Sequence, residues 1–263
     1  MTGLVRGADM LKRLHDYGVT YLLLAVLAAM ILLWTVLAVA VLAPLPARRR
    51  RAAARHSMMA GLRLFTHFLS ALGAYRFELG ALDTLAREPG LILAPNHPSA
   101  LDAIVLLSRH PNLACVLKPQ LLTHPLLGPG ARLAQFISSE PPRVMVRAAI
   151  AELGRGAAVL LFPEGTRSVR APVNPLTASV AVIAKHARAP IQMVLIETDS
   201  TYLGKGWPAL KAPRLPIRYR VRLGARLQAP ADVAACTREL AVRFAAELAA
   251  PWHRGSPPPG PPR

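Results

Sequence analysis

A long uncharged span near the N-terminus is the sequence feature that most constrains the fold. From Tyr17 to Ala47 the chain carries no charged residue over 31 positions, and Leu22 to Ala43 is almost wholly Leu, Ala, Val, Ile and Met. At a rise of about 1.5 Å per residue, a helix of this length crosses a hydrocarbon core of roughly 30 Å. The sequence therefore predicts a membrane segment, followed by a separately folded part of ordinary domain size.

A cleaved signal peptide is the alternative interpretation of this span, because Ala38-Val39-Ala40 resembles a cleavage site. Two features oppose it, namely an apolar stretch longer than a typical signal core and an arginine block directly behind it. That block consists of Arg48, Arg49, Arg50, Arg51 and Arg55, against Arg6, Lys12 and Arg13 before the span. The positive-inside rule then predicts an inner (cytoplasmic) membrane with the folded part facing the cytoplasm. Since the margin is small, a membrane hairpin with both ends cytoplasmic stays open.

The segment behind the span is basic and then amphipathic. Within 48–73, the residues 56–73 repeat apolar side chains at helical spacing. Such a helix either lies on the bilayer or packs on the folded domain, and the sequence favours neither. These patterns divide the chain into a membrane anchor (1–47), a membrane-proximal helix (48–73), a folded domain (74–251) and a Pro-rich tail (252–263) that is predicted to be disordered.

Composition excludes several classes of protein. A hydrophobic content of 53% is too high for a disordered chain, despite a net charge of +18. Cys115 and Cys236 form neither a disulfide framework nor a CxxC metal site. A nucleic-acid binder would use the positive charge, but the basic residues are not interleaved with stacking aromatics. The charge alone predicts a polyanionic partner. In a membrane-anchored chain, an anionic membrane surface suits the basic residues, and no nucleic acid is expected.

Short apolar strands alternate with helices over the rest of the chain. This rhythm predicts an α/β fold with a mostly parallel central sheet of about seven strands flanked by helices. The predicted strands are Tyr75–Leu79, Leu91–Pro95, Leu113–Lys118, Ala134–Ser138, Ala158–Phe162, Ile191–Thr198 and Ile217–Leu223. The predicted helices are Ser99–Arg109, Arg143–Gly154, Pro175–Arg188 and Asp232–Ala249. The last strand alternates with period two, as an edge or antiparallel strand does.

The loop Asn96–Asp102 (NHPSALD) follows a predicted strand, where open α/β sheets place their ligands. On one regular helix His97 and Asp102 would point about 140° apart, because each residue turns about 100°. They meet only if His97 lies in the loop and Asp102 in the first helical turn, which a helix start at Ser99 favours. That arrangement suits a general base oriented by a carboxylate. The alternative is that Ser99 and Asp102 form only a capping box.

A second loop, Phe162–Ser168 (FPEGTRS), follows another apolar strand. Gly165 permits a tight turn, and Arg167 can form a bidentate fork to a phosphate. Glu164 would anchor that fork or the backbone of the turn. The alternative is a polar turn with a surface ion pair.

Together the two motifs resemble those of the phospholipid/glycerol acyltransferase family, which includes 1-acylglycerol-3-phosphate acyltransferases. Between them, residues 118–128 (KPQLLTHPLLG) are similar to the family's K-x-x-L-x-x-x-P-x-x-G block. The three blocks occur in the family's order and spacing, and the resemblance covers roughly residues 75–225. It implies an acyltransferase anchored at a membrane.

The resemblance also implies roles for individual residues. His97 is the expected general base, which removes a proton from an acceptor hydroxyl as the oxygen attacks an acyl thioester, and Asp102 orients it. The implied substrate site comprises Asn96, Lys118, Glu164, Gly165, Thr166 and Arg167, with Arg167 on the phosphate of the acceptor. The implied acceptor is a lysophospholipid, foremost 1-acyl-sn-glycerol-3-phosphate, which gives phosphatidic acid. Acyl-CoA or acyl-carrier protein is the implied donor, and neither a metal nor a further cofactor is expected.

Departures from the family pattern concern the acceptor. Many members have an arginine two positions after a Phe-Ile pair, whereas here Phe136-Ile137 is followed by Ser138-Ser139. The segment 197–207 (ETDSTYLGKGW) is distinctive and is either an ordinary loop or part of an altered acceptor or donor pocket. Another lysolipid or a specialised lipid intermediate is therefore an alternative acceptor. A non-catalytic basic lipid-binding protein is a further alternative, although it would not need His97 and Asp102.

Overall fold

The computed structural model describes residues 2–170 and 172–249, so the predicted tail 252–263 lies outside the described residues. The helices are α1 (Thr2–Leu42), α2 (Ala47–Ala71), α3 (Gly80–Asp83), α4 (Leu101–Leu107), α5 (Pro119–Thr123), α6 (Gly128–Leu133), α7 (Pro142–Gly154), α8 (Ser179–Ala187) and α9 (Val233–Ala249). The strands are β1 (Tyr75–Glu78), β2 (Ile92–Pro95), β3 (Leu113–Leu117), β4 (Ile137–Ser138), β5 (Ala158–Leu160), β6 (Ile191–Thr198) and β7 (Ile217–Leu227).

The seven strands form one sheet in the order β1-β7-β6-β2-β5-β3-β4. All neighbouring pairs are parallel except β6 and β7, which are antiparallel. The predicted fold class is confirmed, including the antiparallel strand that the period-two alternation indicated. Strand β7 is not at the edge, however, because β1 pairs with its other side.

Helices cover both faces of the sheet, which leaves the central strands buried on both sides. Leu93 of β2 packs into one core cluster with Phe65 of α2 and Val105 of α4. The adjacent Ile92 packs into the opposite cluster with Met145 of α7, while helices α8 and α9 contribute to that same cluster. Burial on both faces explains why β2 and β6 are almost continuous apolar runs.

Helix α1 lies along the folded domain for much of its length. Leu23 and Ala38 are buried, and the indole of Trp34 donates to the hydroxyl of Ser57 at 3.1 Å. Towards its start, Lys12 donates to the carbonyl of Leu215 at 2.7 Å. The opposite face is apolar and exposed, with Leu22, Leu32, Leu33, Val36, Leu37, Val39 and Val41.

Within the described part of the chain, α1 is the one helix long and apolar enough to cross a bilayer, over Asp9–Leu42. Only 11% of the residues in its most apolar stretch are buried, unlike the core helix of a soluble protein. The exposed apolar face suggests association with a membrane.

Helix α2 packs on the folded domain through Phe65 and Leu69, in line with one of the two alternatives for this segment. It also contains the arginine block, part of which points inward. The Arg55 side chain is 1% exposed and pairs with Glu152 of α7 at 2.8 Å. Arg51 contacts the same carboxylate at 3.4 Å. These two arginines therefore tie α2 to the domain, whereas Arg48 and Arg49 are exposed.

Candidate active site

The two motif loops meet because β2 and β5 are parallel neighbours, so that their carboxyl ends lie at one edge of the sheet. Asn96 sets the point at which the first loop leaves that edge. Its amide donates to the carbonyl of Ile196 at 2.9 Å and accepts from the N–H of the same residue at 2.7 Å. The side chain thus continues the pairing of β2 with β6 by one residue, and both of its polar atoms are occupied in doing so.

His97 and Asp102 are in direct contact, as the loop-and-helix arrangement predicted. Nδ1 of His97 lies 2.7 Å from Oδ2 of Asp102. Asp102 is in the first turn of α4 and is fully buried, whereas the His97 side chain is 17% exposed. With Nδ1 directed at the carboxylate, Nε2 is the ring nitrogen left for a reacting group.

The Asp102 carboxylate also makes a hydrogen bond that the alternative, a capping box, predicts. The N–H of Ser99 donates to Oδ2 of Asp102 at 3.0 Å, and the Ser99 hydroxyl accepts from the N–H of Leu101 at 3.2 Å. Helix α4 itself begins at Leu101, two residues later than the predicted start. Asp102 therefore holds the start of α4 and His97 together. Burial raises the pKa of its carboxyl, and the hydrogen bond from His97 is the strongest influence in the opposite direction.

The His97 ring stacks on Phe162, the first residue of the second motif. The two ring centroids are 3.7 Å apart and the ring planes differ by 19°. Phe162 was not among the predicted site residues, although its place at the end of the strand before Glu164 is visible in the sequence. Contact with a flat aromatic face restricts the tilt of the imidazole, and so Phe162 and Asp102 fix the ring from two sides.

Glu164 is buried and joins the two loops. Its Oε1 accepts from the backbone N–H of His97 at 3.0 Å and from the hydroxyl of Ser168 at 2.6 Å. Its Oε2 accepts from the backbone N–H of Asn174 at 2.7 Å. Of the two predicted roles for Glu164, this geometry corresponds to the anchoring of turn backbone. A carboxylate with three donors gives the loops a shared rigid support.

Arg167 reaches across to the segment after β6. Its Nη1 donates to the carbonyl of Leu203 at 2.8 Å and to that of Gly204 at 3.0 Å. The same segment holds the first loop, because the N–H of Ala100 donates to the carbonyl of Leu203 at 3.0 Å. A side chain at Gly204 would disturb this segment, since a Cβ there would lie 2.8 Å from the carbonyl oxygen of Thr201 and 3.4 Å from that of Pro98 in the first loop. The distinctive segment is thus part of the site's framework.

The other predicted site residues lie around this framework. Gly165 has a φ of +64°, a conformation that favours glycine, and Thr166 beside it is half-buried. Lys118 is exposed just before α5, at the carboxyl end of β3. That end lies at the same sheet edge, because β3 pairs in parallel with β5. In the described residues, no group of three or more His, Cys, Asp and Glu side chains is placed to hold a metal ion.

An open apolar cavity of about 120 Å³ lies beside the first motif loop. Ala100 and Leu101, which stand between His97 and Asp102 in the sequence, form part of its wall. Helix α1 contributes Leu23 and Leu27, and the segment after β6 contributes Tyr202. The arrangement puts a histidine–carboxylate pair at the side of a space suited to a hydrocarbon chain.

Comparisons with known proteins identify the class of this fold and site. Residues 76–197 match the family model described as Acyltransferase. A 1-acyl-sn-glycerol-3-phosphate acyltransferase of Pseudomonas aeruginosa is 24% identical over 219 residues, which are 81% of this chain and 82% of that protein. The crystal structure of the 1-acyl-sn-glycerophosphate (LPA) acyltransferase PlsC from Thermotoga maritima has the same fold. It matches with a TM-score of 0.64 at 18% identity, covering 95% of this chain and 99% of that one.

The part of the chain that matches the Acyltransferase family model contains both motif loops. The protein is an acyltransferase, as the sequence predicted.

Proposed function

We propose that this acyltransferase moves a fatty acyl group from acyl-CoA or acyl-carrier protein to the hydroxyl of a lysophospholipid. The proposed acceptor is 1-acyl-sn-glycerol-3-phosphate, and the product is phosphatidic acid. The observation that carries the proposal is the contact of His97 Nδ1 with buried Asp102 beside an apolar cavity. The name of the Pseudomonas aeruginosa relative supports the choice of acceptor.

In the proposed reaction, Nε2 of His97 takes the proton of the acceptor hydroxyl as the oxygen attacks the thioester carbonyl. The tetrahedral intermediate then collapses, the carbon–sulfur bond breaks, and the thiolate leaves with the proton that His97 holds. Asp102 keeps the Nδ1–H tautomer, which leaves a lone pair on Nε2, and it stabilises the cationic ring. No residue of the enzyme becomes acylated in this scheme.

The acceptor's phosphate is assigned to Arg167. Both hydrogen bonds of its guanidinium to the Leu203 and Gly204 carbonyls use Nη1. Nη2 and Nε therefore remain as the pair of donors for a bidentate phosphate contact. Lys118, at the same edge of the sheet, adds positive charge to the approach of the anionic substrates.

The acyl chain is assigned to the cavity between α1, α2 and α4. Phe65 of α2 and Leu23 of α1 belong to its apolar lining, so a hydrocarbon chain there loses contact with water. Because Ala100 and Leu101 form part of its wall, an acyl chain in this cavity would lie beside the loop that carries His97.

We assign the enzyme to the cytoplasmic side of the inner membrane. The exposed apolar face of α1 would enter the bilayer while its other face stays on the domain. Exposed Arg48 and Arg49 follow α1 and suit an anionic leaflet. Because α1 packs lengthwise on the domain, an in-plane position of this helix agrees better with the packing than an upright span does.

The test is turnover by the purified full-length protein, supplied with a panel of lysolipids and with both donor types, and analysed by lipid mass spectrometry. We expect phosphatidic acid from 1-acyl-sn-glycerol-3-phosphate, and we expect His97→Ala to abolish it. His186→Ala is the matched control, since His186 lies in the last turn of α8, away from both loops. Full turnover by His97→Ala would refute the general base, whereas turnover of another lysolipid alone would replace the proposed acceptor.

A further inference from the structure

A tyrosine from the far end of the chain completes the surroundings of Asp102. The hydroxyl of Tyr219, in β7, donates a hydrogen bond to Oδ1 of Asp102, the oxygen that does not contact His97. Tyr219 is 1% exposed and Asp102 is fully buried, so the contact is closed to solvent. The two residues are 117 positions apart in the sequence.

The fold holds Tyr219 firmly in this position. Its backbone is paired on both sides, with Thr198 of β6 and with Phe77 of β1. The ring also contacts the Phe77 ring edge-on, with centroids 5.8 Å apart. A side chain placed by two strands and an aromatic neighbour loses little further freedom when its hydroxyl bonds to Asp102.

Three donors therefore meet one buried carboxylate. Oδ2 accepts from Nδ1 of His97 and from the N–H of Ser99, and Oδ1 accepts from Tyr219. Burial and the facing carboxylate raise the pKa of Tyr219 well above its ordinary value, so the hydroxyl keeps its proton and acts as the donor. A buried carboxylate has no water to hydrogen-bond with, so it needs such donors to stay ionised.

We infer that Tyr219 is a positioning residue of the reaction, which holds the Asp102 carboxylate towards His97 and sets the pH at which the His97–Asp102 pair takes up a proton. This inference rests on the proposed function. The pair acts as a base only in the state with neutral His97 and ionised Asp102, which has a net negative charge. The Tyr219 hydroxyl stabilises that state more than the protonated, neutral pair.

Other titratable and charged groups also face the pair or its loops. They are Tyr75 from β1, Tyr202 after β6, and Glu164 and Arg167 after β5. Burial raises the pKa of both Tyr75 and Tyr202, so these phenols stay neutral through the range in which the pair titrates. Glu164 contacts the backbone of His97 and not its ring.

Removal of the Tyr219 hydroxyl should therefore favour protonation of the pair. For Tyr219→Phe we expect the acidic limb of the kcat/KM profile to move upward by about one pH unit, which lowers kcat/KM about tenfold at a fixed pH below the limb. Activity should recover towards the wild-type value well above the limb. A purely structural role would lower activity equally at every pH and leave the limb in place.

The experiment measures pH profiles of the full-length enzyme with 1-acyl-sn-glycerol-3-phosphate and an acyl-CoA. Tyr21→Phe is the matched control, because it also removes a tyrosine hydroxyl. That hydroxyl donates to the Leu210 carbonyl and not to Asp102. Its limb should coincide with that of the wild type. Incorporation of 3-fluorotyrosine at position 219 gives a stronger donor of almost the same shape, and it should move the limb to lower pH.

Opposite shifts in the two Tyr219 variants would support the inference. Unmoved limbs in both, with an active wild-type enzyme, would overturn it and leave the proposed acyl transfer intact. If Tyr219→Phe does not fold, as judged by its thermal unfolding, the fluorotyrosine variant decides alone. An inactive wild-type enzyme, by contrast, would overturn the proposed function and this inference with it.

Discussion

Substitution of Glu164 tests whether this residue supports the structure of the site or contacts the substrate. In Glu164→Gln, one acceptor oxygen is replaced by an NH₂ group. Whichever way the amide turns, that group faces either the N–H of Asn174 or the donors of His97 and Ser168. At least one charge-assisted hydrogen bond is lost and the others weaken. Since each is worth about 1.5–3 kcal/mol, the expected loss of stability is about 2–4 kcal/mol.

The measurement is thermal unfolding together with acceptor kinetics. At about 2–4 °C for each kcal/mol in a chain of this size, Tm should fall by roughly 4–16 °C. The value of kcat should also fall, because the backbone of His97 loses its support, while the acceptor KM changes little. Glu239→Gln is the matched control, since its pair with Arg243 is exposed on α9 and contributes little to stability.

The opposite pattern would refute the reasoning. If Glu164→Gln keeps its Tm within about 2 °C of the wild type and raises the acceptor KM several-fold, then Glu164 contacts the acceptor and does not clamp the loops.

Three further outcomes are expected. In Asp102→Asn, an amide NH₂ facing Nδ1 favours the tautomer with its proton on Nε2, so kcat should fall by about 10²–10⁴ at near-constant acceptor KM; an unchanged kcat would contradict the role of Asp102. Arg55→Met leaves buried Glu152 without its closest partner, so the free energy of unfolding measured with denaturant should fall by about 3–5 kcal/mol. The double variant Arg55→Met/Glu152→Leu should recover much of this lost stability. In Gly130→Ala, the new Cβ would lie 2.6 Å from the Trp34 ring, so stability should fall by about 1–3 kcal/mol and Trp34 fluorescence should shift; Trp34→Phe in the same chain should relieve the loss.

Local patterns account for the parts of the fold that the sequence predicted well. The strand Ile191–Thr198 was predicted with its observed bounds, because an almost continuous apolar run is typical of a strand buried on both faces. The meeting of His97 with Asp102 also followed from spacing, since both residues belong to one loop and one helical turn. The short helices α5 and α6 escaped prediction because each has only one or two turns and contains proline or glycine near its start.

Long-range partners account for what the sequence did not reveal. The contact of Tyr219 with Asp102 depends on the register of β7 against β6, which nothing near either residue encodes. The arginine block was predicted to face an anionic membrane surface, yet Arg55 pairs with a carboxylate on α7, almost a hundred residues further on. Phe162 carries no functional signal in the sequence, because an aromatic residue at a strand end is usually part of the core.

The packing of α1 has a consequence for how the chain is made. Its contact between Lys12 and the Leu215 carbonyl joins residues 203 positions apart. At a synthesis rate of about 5–20 residues per second, α1 leaves the ribosome roughly 10–40 s before that partner exists. Throughout this interval its outer apolar face is uncovered, and the face that will later close the cavity lacks its partners from the segment after β6. Lipid is the solvent that can hold such a helix, so early contact with a membrane would protect the nascent chain from aggregation.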